Sequence, residues 1–170
     1  DLLAGDRQGE VVCLNGRTGD PVWNTTLPSP PQWGATCLAV GDLHGDGALE
    51  IVTGTRDGDV VCLAGVSGDR EWIYGGDLGT VMSPAIADLN GDGQPEVLVG
   101  TEKVSLVCLS ATGQELWRRH EGAGGSPFVY DTGGQGGLRI LCGMGKRLHA
   151  LDAGGNTLWS FPMNREMDSA

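Results

Sequence analysis

A tryptophan returns at positions 23, 72, 117 and 159, each time behind the same short script. An apolar run comes first: Val11-Val12-Cys13-Leu14, Val60-Val61-Cys62-Leu63, Leu106-Val107-Cys108-Leu109 and Leu148-His149-Ala150-Leu151. A tight-turn pair follows, Thr18-Gly19, Ser67-Gly68, Thr112-Gly113 or Gly154-Gly155, and then the indole. Self-similarity at a period of roughly 40–50 residues limits the chain to repeat architectures, because one such unit cannot bury its own apolar faces and must stack on a copy of itself.

Two further blocks complete each unit. Glu50-Ile51-Val52-Thr53-Gly54, Glu96-Val97-Leu98-Val99-Gly100 and Arg139-Ile140-Leu141-Cys142-Gly143 form one set, with Asp1-Leu2-Leu3-Ala4-Gly5 as a further copy. Ser83-Pro84-Ala85-Ile86-Ala87 and Ser126-Pro127-Phe128-Val129-Tyr130 form the other, echoed by Cys37-Leu38-Ala39-Val40. Four short strands per unit, joined by Gly- and Asp-rich turns, make an antiparallel meander. For the clearest unit the strands are expected at about 82–87, 96–101, 104–110 and 114–119. The fold class is all-β, a β-propeller of four-stranded antiparallel blades; a stacked solenoid is the competing arrangement, and radial packing is preferred because it leaves few open edges. The expected division is a partial blade at 1–34, blades at about 35–80, 81–125 and 126–165, and the start of another at 166–170. About four blade-equivalents are expected to form part of a larger propeller. The recurring Trp is expected to pack between adjacent blades.

Composition narrows the partners. A formal charge of −11 repels phosphate backbones and anionic lipid, so neither nucleic acid nor membrane insertion by this segment is expected. No run approaches the roughly 18 apolar residues of a membrane span. The five cysteines are an odd number, and Cys13, Cys62 and Cys108 share one repeat position, which reads as a small buried hydrophobe rather than half of a disulfide. The pairing of Cys37 and Cys142 is left open. The triplet Asn24-Thr25-Thr26 is a glycosylation sequon and points weakly to secretion.

The sharpest chemistry lies at 88–96. Asp88, Asn90 and Asp92 alternate, Gln94 offers a backbone carbonyl and Glu96 closes the loop. Oxygens spaced two apart in a Gly-containing loop converge on one point, and calcium takes six to eight oxygens. The loop joins two strands, which excludes the helix-flanked EF-hand. The same spacing recurs as Asp42, His44, Asp46, Ala48 and Glu50, with His44 a poor ligand for a hard cation. A third copy at 131–139 has lost the pattern, since Gly133, Gln135 and Arg139 stand where ligands stood. Calcium is therefore the expected cofactor, at 88–96 and more weakly at 42–50.

Loop 88–96 resembles the calcium loop of FG-GAP and VCBS-type repeats in integrin-α-like propellers. The segments ending at Trp23, Trp72, Trp117 and Trp159 resemble the tryptophan-docking repeat of quinoprotein-like propellers, Cys13-Leu14-Asn15 with Thr18-Gly19 and Ala150-Leu151-Asp152 fitting best. These resemblances imply a calcium-stabilised extracellular propeller, periplasmic in a bacterium, acting as a non-catalytic interaction, adhesion or scaffolding module. A protein or glycan partner is expected, together with remaining blades from the same or a neighbouring chain. The alternative is the propeller of a quinoprotein dehydrogenase or a carbohydrate-processing enzyme. Against it, no two cysteines are adjacent, and His44, His120 and His149 do not share a repeat position. His149 is expected to be packed and His120 solvated. Arg7, Arg17, Arg56, Lys103, Arg118, Arg119, Lys146 and Arg147 are read as solvated surface, available to a partner.

Overall fold

The computed structural model describes residues 1–6, 8–27, 37–133 and 137–163. Fifteen strands run through them: β1 (Leu2–Gly5), β2 (Glu10–Leu14), β3 (Pro21–Thr26), β4 (Cys37–Gly41), β5 (Glu50–Gly54), β6 (Asp59–Ala64), β7 (Arg70–Gly75), β8 (Ala85–Ala87), β9 (Glu96–Gly100), β10 (Leu106–Leu109), β11 (Glu115–Arg119), β12 (Phe128–Asp131), β13 (Leu138–Met144), β14 (Arg147–Leu151) and β15 (Thr157–Pro162). They form one three-stranded meander, β1-β2-β3, and three four-stranded meanders, β4-β5-β6-β7, β8-β9-β10-β11 and β12-β13-β14-β15. All pairing is antiparallel. The leading strands of successive sheets touch, β4 against β8 and β8 against β12, as radial packing requires. The expected start of a further blade at 166–170 and the division near residue 34 lie outside the described residues.

The strands form where they do because of two-sided burial. Every residue of β5 and of β9 is buried, although the side chains alternate between faces. Ile51 points into a core with Val11, Leu27, Val61 and Leu63, while its neighbour Val52 points into another with Val60, Cys62, Val97 and Val107. A third core, Leu98, Leu106, Cys108, Ile140, Cys142 and Leu151, separates the last two sheets. A strand buried on both faces needs a mostly apolar run, which is what Glu50–Gly54, Glu96–Gly100 and Leu106–Leu109 supply.

The last hairpin of every sheet carries the same irregularity, a register shift at Cys13/Leu14, Cys62/Leu63, Cys108/Leu109 and Ala150/Leu151. Such bulges re-aim a strand. Each faces a tryptophan, and the first three of these leave their own sheet for the next. Trp23 Nε1 donates to the Gly65 carbonyl at 2.9 Å, Trp72 to Ala111 at 2.9 Å and Trp117 to Ala153 at 3.0 Å. The rings lie over Gly68, Gly113 and Gly155, all in the left-handed region at φ 75–77°. A Cβ on Gly113 would sit 2.6 Å from the Trp72 ring, so glycine is required there twice, for backbone and for room.

No disulfide joins any of the five cysteines. Cys13, Cys62 and Cys108 are buried as the repeat position implied. Burial pushes the Cys108 thiol up to about 12 and Cys142 to about 11, which leaves both as unreactive core groups.

Candidate functional site

Loop 88–96 joins β8 to β9 and loop 42–50 joins β4 to β5, so both project from the same end of neighbouring sheets. The leading aspartate organises each turn. Asp88 Oδ1 accepts the N–H of Gly91 at 2.7 Å and of Asp92 at 3.1 Å, and its Oδ2 accepts Gly93 at 2.9 Å. Asp42 does the same for Gly45, Asp46 and Gly47 at 2.6, 3.2 and 2.9 Å. These bonds, the Gly47 N–H foremost, hold the Asp42 carboxyl below the usual aspartate range. The closing glutamates are buried, each pinned by one backbone donor: Leu89 N–H to Glu96 Oε2 at 2.9 Å, Leu43 N–H to Glu50 Oε2 at 2.7 Å.

In loop 88–96 the named side chains turn inward. Asn90 Nδ2 lies 3.1 Å from Asp92 Oδ2 and 3.0 Å from Glu96 Oε1. Asn90 Oδ1 takes the Asp92 N–H and Asp92 Oδ1 takes the Gln94 N–H, both at 2.8 Å. Two carboxylates, Asp92 and Glu96, thus meet on a single amide, while Asp88 holds the backbone at the head of the same turn. Glu96 feels this: burial first, then the charges of Asp92 and Asp88, raises its carboxyl above the usual range. A divalent cation would relieve that repulsion, and an all-oxygen donor set suits calcium.

Loop 42–50 departs from this arrangement at His44. Its ring turns to β7, where His44 Nε2 meets Glu71 Oε2 at 2.9 Å. That contact, the largest influence on the ring, raises the imidazole above its ordinary range. His44, Glu50 and Glu71 form one group whose ligand atoms all lie within 4.8 Å of one another. Asp46 caps the N–H of Ala48 at 2.8 Å. In the third copy, Asp131 Oδ1 takes the Gly133 N–H at 2.9 Å, Arg139 bonds the Leu138 carbonyl, and Gln135 lies outside the described residues.

Sequence reasoning missed Glu71 altogether. It also misplaced two arginines. Arg118 and Arg119 are half-buried cross-blade ties rather than free surface. Arg118 bonds Glu115 and, through Nη2, the Tyr74 hydroxyl of the preceding sheet at 2.7 Å. Arg119 reaches the next sheet, donating to the Gly155 carbonyl and to Thr157 Oγ1 at 3.1 Å, and pairs with Glu121. Lys103 pairs with Asp77 and Arg147 bonds Ser160, while Arg7 lies outside the described residues. The signal was positional: Tyr74 and Arg119 both stand two residues after a Trp, and Glu115 and Thr157 both stand two before one. His149 is buried, 3.1 Å from Glu121 Oε2 without hydrogen-bond geometry, and His120 is exposed.

An apolar groove of about 740 Å³ opens between the first two sheets, lined by Leu2, Leu3, Val22, Val40, Leu49 and Val66. Val66 is 78% exposed and Leu2 60%. Beside it β1 is the unpaired edge of its sheet among the described residues. Among the described residues no helix is long and apolar enough to cross a membrane.

Residues 1–110 match the sequence profile of a family described as outer membrane protein assembly factor BamB. A comparison with curated proteins finds no match. Among solved structures, BamB from Moraxella catarrhalis superposes with a TM-score of 0.68 at 22% identity, covering 94% of this chain and 44% of that one. The computationally designed protein Ika8 superposes with a TM-score of 0.69 at 18% identity, covering 94% of this chain and 45% of that one. The chain thus spans less than half the length of either structure, and the likenesses show the propeller fold. The integrin-like half of the resemblance rests on loop residues alone.

Proposed function

We propose, because this chain belongs to the family of the outer membrane protein assembly factor BamB, that it is part of a non-catalytic propeller which holds protein partners at the periplasmic side of a bacterial outer membrane. The family match over residues 1–110 carries this reading. It moves the interaction role from adhesion, with a glycan or extracellular partner, to envelope assembly. Val66, 78% exposed in the connection between β6 and β7, presents an apolar side chain on a rigid strand pair from which a protein contact can be read. Calcium in loop 88–96, held by Asp88, Asn90, Asp92, the Gln94 carbonyl and Glu96, would stiffen the end of the blade without taking part in any reaction.

A photoreactive side chain placed at Val66 of the full protein in its native host tests the reading. The expected adduct is with a component of the outer-membrane-protein assembly machinery. Adducts confined to unrelated proteins would sink it. The second reading, a quinoprotein dehydrogenase, is favoured by the tryptophan repeat that quinoproteins share. An ultraviolet–visible spectrum of the purified protein separates the two, since a bound quinone absorbs beyond the protein band.

A further inference from the structure

Two positions set the second sheet apart from the others, and they meet. The residue before the docking Trp is Val22, Leu116 and Leu158 in three sheets, each about half exposed. In the second sheet it is Glu71. The third residue of the loop is Asn90 in the third sheet and His44 in the second. Both exchanges bring in a metal-ligating group, and the fold places the two in contact, His44 Nε2 to Glu71 Oε2 at 2.9 Å. The third member is already fixed. Glu50 is only 2% exposed, with its carboxylate oriented by the Leu43 N–H.

We propose that His44, Glu50 and Glu71 form a binding site for a zinc-class divalent cation, distinct from the calcium loop of the neighbouring sheet. The donor set decides the metal. Imidazole nitrogen beside carboxylate oxygen suits zinc and its neighbours, whereas calcium takes oxygen alone. The geometry fits. Ligand atoms about 2.0–2.2 Å from a tetrahedral zinc stand roughly 3.5 Å apart, and the three groups already lie within 4.8 Å of one another. The ligands come from three places, the β4–β5 loop, the start of β5 and strand β7, so the ion would bolt the loop to the outer part of the sheet. Cys62 Sγ lies 3.8 Å from Glu71 Oε2, but the same cysteine recurs as Cys13 and Cys108 where no such group exists, so it is a core residue beside the site. Water would complete the coordination. All three ligands belong to the second sheet and its β4–β5 loop.

Titrating chelator-treated protein with zinc chloride in a calorimeter, and separately with calcium chloride, tests it. One zinc per chain should bind saturably. His44→Asn and Glu71→Leu each install the residue of the third sheet, so both variants keep a fold-compatible side chain. Each should weaken zinc binding by about tenfold or more, the loss of one ligand from a small set, while His44→Asn leaves calcium binding undiminished. No saturable zinc uptake, or uptake that both variants retain at full strength, would show that His44 and Glu71 are only an ion pair.

Discussion

Glu115 shows what one side chain does for a stack of sheets. It sits on β11, pairs with Arg118 and accepts the hydroxyl of Tyr74 from the preceding sheet. Arg118, foremost, and the Tyr74 hydroxyl hold the carboxyl down to about 2, against partial burial acting the other way. The same contact, after burial, pushes Tyr74 up to about 12. A depressed carboxyl stabilises the fold wherever it is ionised in both states, that is above its unfolded value of 4.5. That contribution is lost as pH falls from there towards about 2. Because the side chain is 29% exposed, screening trims it to about 1–2 kcal/mol. Glu115→Gln should cost about that much in urea denaturation at neutral pH. The deficit should shrink when both proteins are unfolded near pH 3, the difference between them isolating this one group. An equal deficit at both pH values would mean that packing, not charge, is what Glu115 supplies.

At the scale of the loop and the strand, the sequence was readable wherever function and fold share a local spacing. The runs of β5 and β9 declared themselves because burial on both faces fills them with apolar side chains, Glu50 and Glu96 being admitted only where a backbone N–H meets the carboxylate. Loop 88–96 declared itself because its oxygens are two residues apart along one short turn. What could not be read was contact across registers. His44 and Glu71 are joined by the pairing of β4, β5, β6 and β7, and nothing local to either residue announces the other. Arg118 and Arg119 read as surface because charge usually means surface; the sheets packed on either side of β11 give them partners instead. The calcium proposal belongs to this scale. Asp92→Asn keeps an acceptor for the Gln94 N–H but removes a charge from the crowded turn. In calcium at about 100 times its dissociation constant, the wild-type melting temperature should rise by about 5–10 °C over that in chelator. The variant should melt as high as wild type without calcium, since repulsion is lower, and gain far less from adding it. A melting temperature indifferent to calcium in both would remove the ion from loop 88–96.

The molecule as a whole is one contact written three times, and it is left half-written at either end of the described chain. Trp23, Trp72 and Trp117 each cover a left-handed glycine of the next sheet. Among the described residues Trp159 covers none, and it is 49% exposed, with Phe161 at 62% beside it. Gly19, at φ 76°, is the matching glycine of the first sheet, and a Cβ there would meet nothing within 4 Å. The repeat pattern made both half-contacts foreseeable, since Thr18-Gly19 and Trp159 carry the same script as the inner copies. Two copies of this segment set head to tail would therefore complete two docks at once, each Trp159 over the other's Gly19. Charge opposes the pairing, since each copy carries −11. Screening weakens that repulsion, because the Debye length falls from about 30 Å at 0.01 M salt to about 8 Å at 0.15 M. Sedimentation velocity on the isolated segment should accordingly show a monomer at low salt and a growing dimer fraction as salt is raised. Trp159→Ala should abolish the dimer at every salt concentration, because truncation removes the indole donor and ring that the glycine dock accepts. A dimer that survives this change, or a monomer at all salt concentrations, would show that the inner docks owe their stability to the connected chain and not to the contact itself.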